Sequence, residues 1–275
     1  MSIAGGVTQA LIRGQAGGCE CIQIFTKNHR QWAAKPYPPE EIASFRRAQQ
    51  ASAIRMVVAH DSYLVNLGAT DGELRKKSIA GLIDELERCE QLGVPLLIAH
   101  PGAHVGAGED AGITNIARAL DAAHAACPGY RVRIALEITA GQGSNLGYEF
   151  AQVGQIIDRV RENGRLRVCF DTEHAFAAGY DLRTEEGYEQ TFSEFDRCIG
   201  IELLAAFHIN DSAKPLNSRV DRHEHIGQGY LGVEVFRRIV NDPRFAGLPM
   251  CLETDPGEDN KGILADLKLL FELRQ

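Results

Sequence analysis

No stretch of the 275 residues stays apolar for long enough to span a bilayer, and the opening MSIAGGVTQALIRG has neither the core nor the flanks of a signal peptide. No low-complexity tract, linker or charge block divides the chain. Basic residues are in the minority: 29 Lys and Arg stand against 37 Asp and Glu, a formal charge of −8. That balance argues against a nucleic-acid partner held by overall basic charge. The 7 cysteines are an odd number and lie mostly inside apolar runs (Cys21, Cys169, Cys251) or helix-like segments (Cys89, Cys198). They read as small core residues in a reducing compartment rather than a disulfide framework. The Cys19-x-Cys21 pair reads as alternation in an extended segment rather than as metal ligands. The glycines of GQGSNLG lack the spacing of a dinucleotide fingerprint, which argues against a nucleotide cofactor. What these absences leave is one cytoplasmic domain over residues 1–275, without a membrane partner.

Six apolar runs each lead to a histidine, aspartate or glutamate: MVVAH (56–60), PLLIAH (95–100), RIALE (133–137), RVCFD (167–171), AAFHIN (205–210) and MCLET (250–254). The acceptor residues are His60, His100, Glu137, Asp171, His208 and Glu253, separated by 40, 37, 34, 37 and 45 positions. Each run has the length of a buried strand, and each interval leaves room for one helix and two loops. Helical periodicity occupies residues 72–92, 111–126, 148–163, 185–199 and 232–241, and Gly93, Gly129, Gly164 and Gly200 stand where helices end. Strand, helix, glycine, strand is a βα repeat, and parallel strands need such crossovers. With CIQIF (21–25) the strands number seven, one short of a closed (β/α)8 TIM barrel. The opening SIAGG reads as the end of a largely missing first strand, so Met1 is not expected to be the natural start, since an unclosed barrel exposes two edges.

Reactive groups of such barrels sit at the C-terminal ends of the strands. A lone strand-end histidine is more often a hydrogen-bonded core residue, and a lone glutamate more often a lysine's partner. Six together have no such separate explanation, because burying several carboxylates without cations costs several kcal/mol per ion. His174 follows in DTEHAF, and Asp221 with His223 in DRHEH, each expected in an extended loop with both side chains on one side. The total is five histidines and four carboxylates, more than one ion can use. Imidazole with carboxylate suits zinc, manganese or iron. Three ions, with a carboxylate bridging two of them, fit the count, and closely spaced metals suit phosphoester hydrolysis. TAGQGSNLG (139–147) and the segment 213–232, with Lys214, Arg219 and Arg222, offer amides and positive charge to a phosphate. TKNHRQW (26–32) sets Lys27, His29 and Arg30 beside Trp32, a pairing able to grip a nucleic-acid backbone and stack on bases.

The segments FTKNHRQW, HDSYLVNLG, HPGAHVGAG, LEITAGQGSNLG, DTEHAFAAGYDL, HINDS, SRVDRHEHIGQGYLG and LET, spread from residue 25 to 254, resemble the endonuclease IV family of apurinic/apyrimidinic (AP) endonucleases. The resemblance implies three Zn²⁺ ions per chain, with manganese able to substitute. It assigns the first ion to His60, His100 and Glu137. Glu137 bridges to the second, held with Asp171, His208 and Glu253, and the third falls to His174, Asp221 and His223. It further implies hydrolysis of double-stranded DNA 5′ to abasic sites, leaving a 3′-hydroxyl and a 5′-deoxyribose phosphate, with 3′-end repair phosphodiesterase activity beside it. Glu137 is the catalytic bridge, and Arg30, Tyr63 and Leu64 fill the gap left when the abasic nucleotide turns out. A monomer is expected. Glu173 stands where the motif usually has cysteine; it is expected to point away from the ligands and to be nearly neutral. Three divalent ions would bring the formal charge from −8 to about −2, with all of the change at one mouth. Two rivals remain. One is a single-metal sugar isomerase or epimerase, which needs only Glu137, Asp171, His208 and Glu253, and the other is a damage-binding protein without activity.

Overall fold

The structure, a computed structural model, describes residues 1–275. Seven parallel strands follow one another through a single sheet in chain order. They are β1 (Cys21–Phe25), β2 (Met56–His60), β3 (Leu96–Ala99), β4 (Arg133–Glu137), β5 (Leu166–Asp171), β6 (Leu204–His208) and β7 (Met250–Cys251). These are the seven apolar runs of the sequence, and no strand precedes β1. The helices are α1 (Thr8–Ala16), α2 (Pro39–Ala51), α3 (Gly72–Leu92), α4 (Glu109–Ala126), α5 (Phe150–Arg159), α6 (Thr172–Ala178), α7 (Glu185–Cys198), α8 (Val233–Asn241) and α9 (Lys261–Leu273). The periodic segments correspond to α3, α4, α5, α7 and α8 with ends shifted by a few residues, whereas α1, α2, α6 and α9 are additional. No helix is long and apolar enough to cross a membrane. By contact density the chain divides into two compact units: Met1–Leu136 with Gln155–Arg167, and Glu137–Gly154 with Val168–Gln275.

In the first unit β1 pairs with β2 from Cys21↔Met56 to Phe25↔His60, and β3 pairs with β4 from Leu96↔Arg133 to Ala99↔Leu136. Strands β2 and β3 show no polar alternation because both faces are covered: Val57, Val58, Ala59, Leu97, Ile98 and Ala99 are fully buried, whereas β1 alternates and buries Ile22 and Ile24. Helix α3 starts where Asp71 accepts the Leu74 N–H at 2.6 Å and stops at Gly93, which takes φ +76°. Its inner face buries Leu82, Leu86 and Cys89 and, unusually, Glu85. The Glu85 carboxylate faces Lys27 Nζ at 2.6 Å and accepts from Thr26 Oγ1. Lys27 also reaches Asp84 at 2.8 Å. Arg88 binds Asp84 at 3.0 Å and donates to the carbonyls of Ala34 and Lys35, while Tyr37 donates to Thr26 O. This network ties the 26–37 segment to α3. Lys27 is therefore a buried ion-pair partner and not part of a DNA grip. Trp32 is half-buried and lies against Gly81 of α3, where an added Cβ would meet its ring at 3.7 Å.

In the second unit the register runs Phe170↔Phe207 and Asp171↔His208, then Phe207↔Met250 and His208↔Cys251. A bulge between Val168 and Cys169 sets that alignment. Below the strand ends an aromatic core forms: Phe192 and Phe207 each approach Phe245 at 4.8 Å, and Phe170 approaches Phe192 at 5.1 Å. The loop after His223 is held by one buried carboxylate. Asp211 accepts the N–H groups of Ser212 and Leu231 at Oδ1 and of Gly227, Gly229 and Gly232 at Oδ2, between 2.7 and 3.3 Å. Gly229 fits only without a side chain, since a Cβ would meet Ser212 O at 2.3 Å and Asp211 Oδ1 at 2.5 Å.

Both buried carboxylates can be tested through stability. Lys27→Met leaves the Glu85 charge uncompensated and should cost about 3–5 kcal/mol in urea unfolding, with the double change to Lys27→Met/Glu85→Leu recovering most of it. Asp211→Asn turns donors toward amides and should cost about 3 kcal/mol; a midpoint unchanged from the parent would refute the role given to that carboxylate.

Candidate metal centre

In the first unit the strand ends present two histidines. His60 closes β2 and His100 follows β3, with ring centroids 5.3 Å apart. His60 Nδ1 lies 2.9 Å from Asp61 O, so it carries the proton and Nε2 keeps its lone pair for a cation. Tyr63 stands over the pair, 59% exposed, with its ring 5.6 Å from His60, 6.4 Å from His100 and 5.4 Å from His29. Leu64 beside it is half-buried and Arg30 is exposed. Ser62 Oγ donates to His29 O at 2.7 Å, fastening the segment that carries Tyr63 and Leu64 to the one that carries Arg30.

In the second unit Glu137, Asp171, His208 and Glu253 present ligand atoms that all lie within 4.8 Å of one another. The aligned ends of β5 and β6 deliver Asp171 and His208 side by side. Carboxylates surround one imidazole nitrogen: His208 Nδ1 is 2.9 Å from Glu137 Oε1, 3.2 Å from Glu253 Oε2 and 3.7 Å from Asp171 Oδ2. Asn210, which sequence reasoning misses, organises this group. Its Nδ2 donates to Asp171 Oδ2 at 2.7 Å and its Oδ1 accepts the Glu253 N–H at 2.8 Å. The only sequence signal for it is an amide two residues after His208 in an otherwise apolar run.

Asp171, Glu173, His174 and His223 form a second group within the same 4.8 Å limit. Here the expected extended loop is replaced by helix α6. Asp171 is its N-cap and accepts the His174 N–H at 2.9 Å, so the two side chains meet through the i, i+3 spacing of a helix. His174 Nδ1 lies 2.9 Å from Ile138 O, which points Nε2 toward Asp221 Oδ2 at 3.4 Å. His223 opens a two-residue strand, and its Nε2 faces carboxylate oxygens of Asp171 and Asp221, each at 3.7 Å. The Asp221 N–H donates to Gln142 Oε1 at 3.0 Å, so the 139–147 loop supports the ligands. Exposed Arg219 lies 4.2 Å over the Tyr148 ring, at φ +51°.

Glu173 does not point away. It is fully buried; its Oε1 accepts from Ser212 Oγ at 3.0 Å and from the Arg222 N–H at 3.2 Å. Burial pushes its carboxyl up to about 7. Burial opposes charging His174 and His208, yet Asp171, Asp221 and Glu137 lift His174, and Cys169 with Glu137 and Glu253 lifts His208, well above the ordinary histidine range. The group is thus short of positive charge. Two buried atoms in it, His223 Nε2 and Glu173 Oε2, have no hydrogen-bond partner. Imidazoles and carboxylates with orphaned atoms fit divalent transition metals, which displace protons from histidine and satisfy such atoms directly.

Residues 14–273 match the family model described as a xylose isomerase-like TIM barrel. A "Probable endonuclease 4" of Chloroflexus aurantiacus is 53% identical over 275 residues, covering 100% of this chain and 96% of the relative. Another, from Geobacter sulfurreducens, is 49% identical over 273 residues, covering 99% and 92%. The crystal structure of endonuclease IV from Thermus thermophilus superposes with a TM-score of 0.86 at 36% identity, covering 99% of this chain and 97% of that one. On these matches the chain belongs to the endonuclease IV family of TIM barrels.

Proposed function

We propose that the protein is a zinc-dependent AP endonuclease of DNA base-excision repair, cutting the phosphodiester bond 5′ to abasic sites in double-stranded DNA. The observation that carries this reading is the number of ligand-type side chains presented at strand ends. Within the second unit Glu137, Asp171, His208 and Glu253 form one candidate group and Asp171, Glu173, His174 and His223 another, while His60 and His100 are paired at the strand ends of the first unit. Glu137 is the proposed bridge and catalytic residue. Asp221, beside both His174 and His223, completes the group that holds them. Three zinc ions, with manganese able to replace them, would acidify water for attack on the phosphate and offset charge on the departing oxygen.

The chain's own residues supply position and selectivity. Asn210 donates to Asp171 and so fixes its carboxylate beside His208, and the Asp61 and Ile138 carbonyls fix the tautomers of His60 and His174. Arg30, Tyr63 and Leu64 are the proposed DNA contacts, the exposed Tyr63 ring being able to enter the gap left by a displaced abasic nucleotide. Displacement costs least where no base is stacked, which selects the damaged site before chemistry begins. The reading makes residues 1–275 one functional domain, acting as a cytoplasmic monomer, with 3′-end repair beside incision.

Protein purified without added metal should carry about three zinc ions per chain by mass spectrometry, and should cut a duplex with one abasic site to leave a 3′-hydroxyl. About one ion per chain without incision would instead match a sugar isomerase. Glu137→Ala should lower incision about a thousandfold, and near-normal turnover would sink the proposed bridge. Arg30→Ala and Tyr63→Ala should each weaken binding of abasic duplex about tenfold with metal content unchanged, as read by gel shift.

A further inference from the structure

Glu173 sits on α6 between two proposed ligands, and its position among them has no role in the three-residue set His174, Asp221 and His223. Its two oxygens are treated differently. Oε1 accepts two hydrogen bonds, from Ser212 Oγ and from the N–H of Arg222, the residue between Asp221 and His223. Oε2 is buried and accepts none, and His223 Nε2 is orphaned in the same way. A buried carboxylate oxygen without a donor costs about 1–3 kcal/mol or more, and a side chain this restrained cannot swing out to water to recover it. Glu173, Asp171, His174 and His223 nevertheless present one ligand atom each within 4.8 Å of one another. Asp221 is 44% exposed at its side chain, so Glu173, which is fully buried, is held more deeply than Asp221 beside this histidine pair.

We infer that Glu173 is a fourth protein ligand for the cation held by His174, Asp221 and His223, binding it through Oε2 while Oε1 clamps the backbone that carries Asp221 and His223. This rests on the metal reading proposed above. The chemistry is that of a divalent transition metal with mixed imidazole and carboxylate donors. Four protein ligands close a tetrahedral zinc site, where three leave a position open. The ion beside Glu173 should accordingly be the slowest of the set to leave the protein.

The test compares zinc content and zinc release to a coloured chelator in the parent, Glu173→Gln, Glu173→Ala and His174→Ala. Glutamine keeps an oxygen for the Ser212 and Arg222 donors but removes the anionic ligand, so it separates ligation from clamping. Both Glu173 variants should release one ion about tenfold or more faster than the parent. That ion should be the one lost in His174→Ala, with Glu173→Ala/His174→Ala losing no further ion. Unchanged far-ultraviolet circular dichroism and melting temperature in Glu173→Gln would keep the comparison free of unfolding. If Glu173→Gln keeps the parent's stoichiometry and release rate, Glu173 only clamps the loop and the inference is overturned. If the parent itself holds no ion that His174→Ala removes, the underlying metal reading fails and this inference fails with it.

Discussion

Carboxylates buried at the ends of strands are the constraint on which the rest of this molecule depends. Glu137, Asp171 and Glu173 are wholly removed from water, and His208 and His174 stand among them. Left to themselves, such charges would cost several kcal/mol each. The protein meets that cost with geometry. The parallel register stops Asp171 and His208 at the same level, an N-cap turns Asp171 toward His174, and Asn210 shares one amide between a carboxylate and a backbone N–H. Each device leaves a lone pair aimed inward, and the two orphaned atoms beside them mark where internal hydrogen bonding gives out.

Much of this is legible in the chain. Apolar runs mark the seven strands, and six of them lead to a ligand-type residue, because strands covered on both faces need little alternation. The spacing of those runs marks the crossover helices, since a βα unit has little freedom in length. Less legible are features with no periodic signal. Helix α6 is 7 residues long and starts on an aspartate that also serves the site, so DTEHAF reads as loop. Lys27 looks like part of a basic and aromatic display, but α3 offers Asp84 and Glu85 to bury it, and no local pattern announces those partners. Glu173 misleads for a related reason: a charge in a motif position usually held by a small side chain looks like an outward substitution until its donors, Ser212 and Arg222, are known.

The two units use polar groups in contrasting ways. In the first, charge works as mortar, with Lys27, Asp84, Glu85 and Arg88 fixing a segment far more polar than the strands beside it. In the second, polar groups converge on open coordination, and the loops behind them are kept in place by backbone contacts. Asn217 and Arg219 adopt positive φ while their N–H groups reach the Phe176 and Ala177 carbonyls of α6. Arg219 thereby stays displayed above Tyr148 even though the overall charge of the chain is negative.

The loop gathered around Asp211 has a consequence for how this surface can change over time. Its shape is set by five backbone N–H groups converging on a single side chain, with Gly229 as a position that admits no Cβ. Gln228 and Tyr230 contribute nothing to that wiring beyond their main chain and face outward. They are therefore free letters in a fixed frame. Mutation can try new contacts at the rim without redrawing its outline, and preference among nucleic-acid structures can drift there while the chemistry below stays constant.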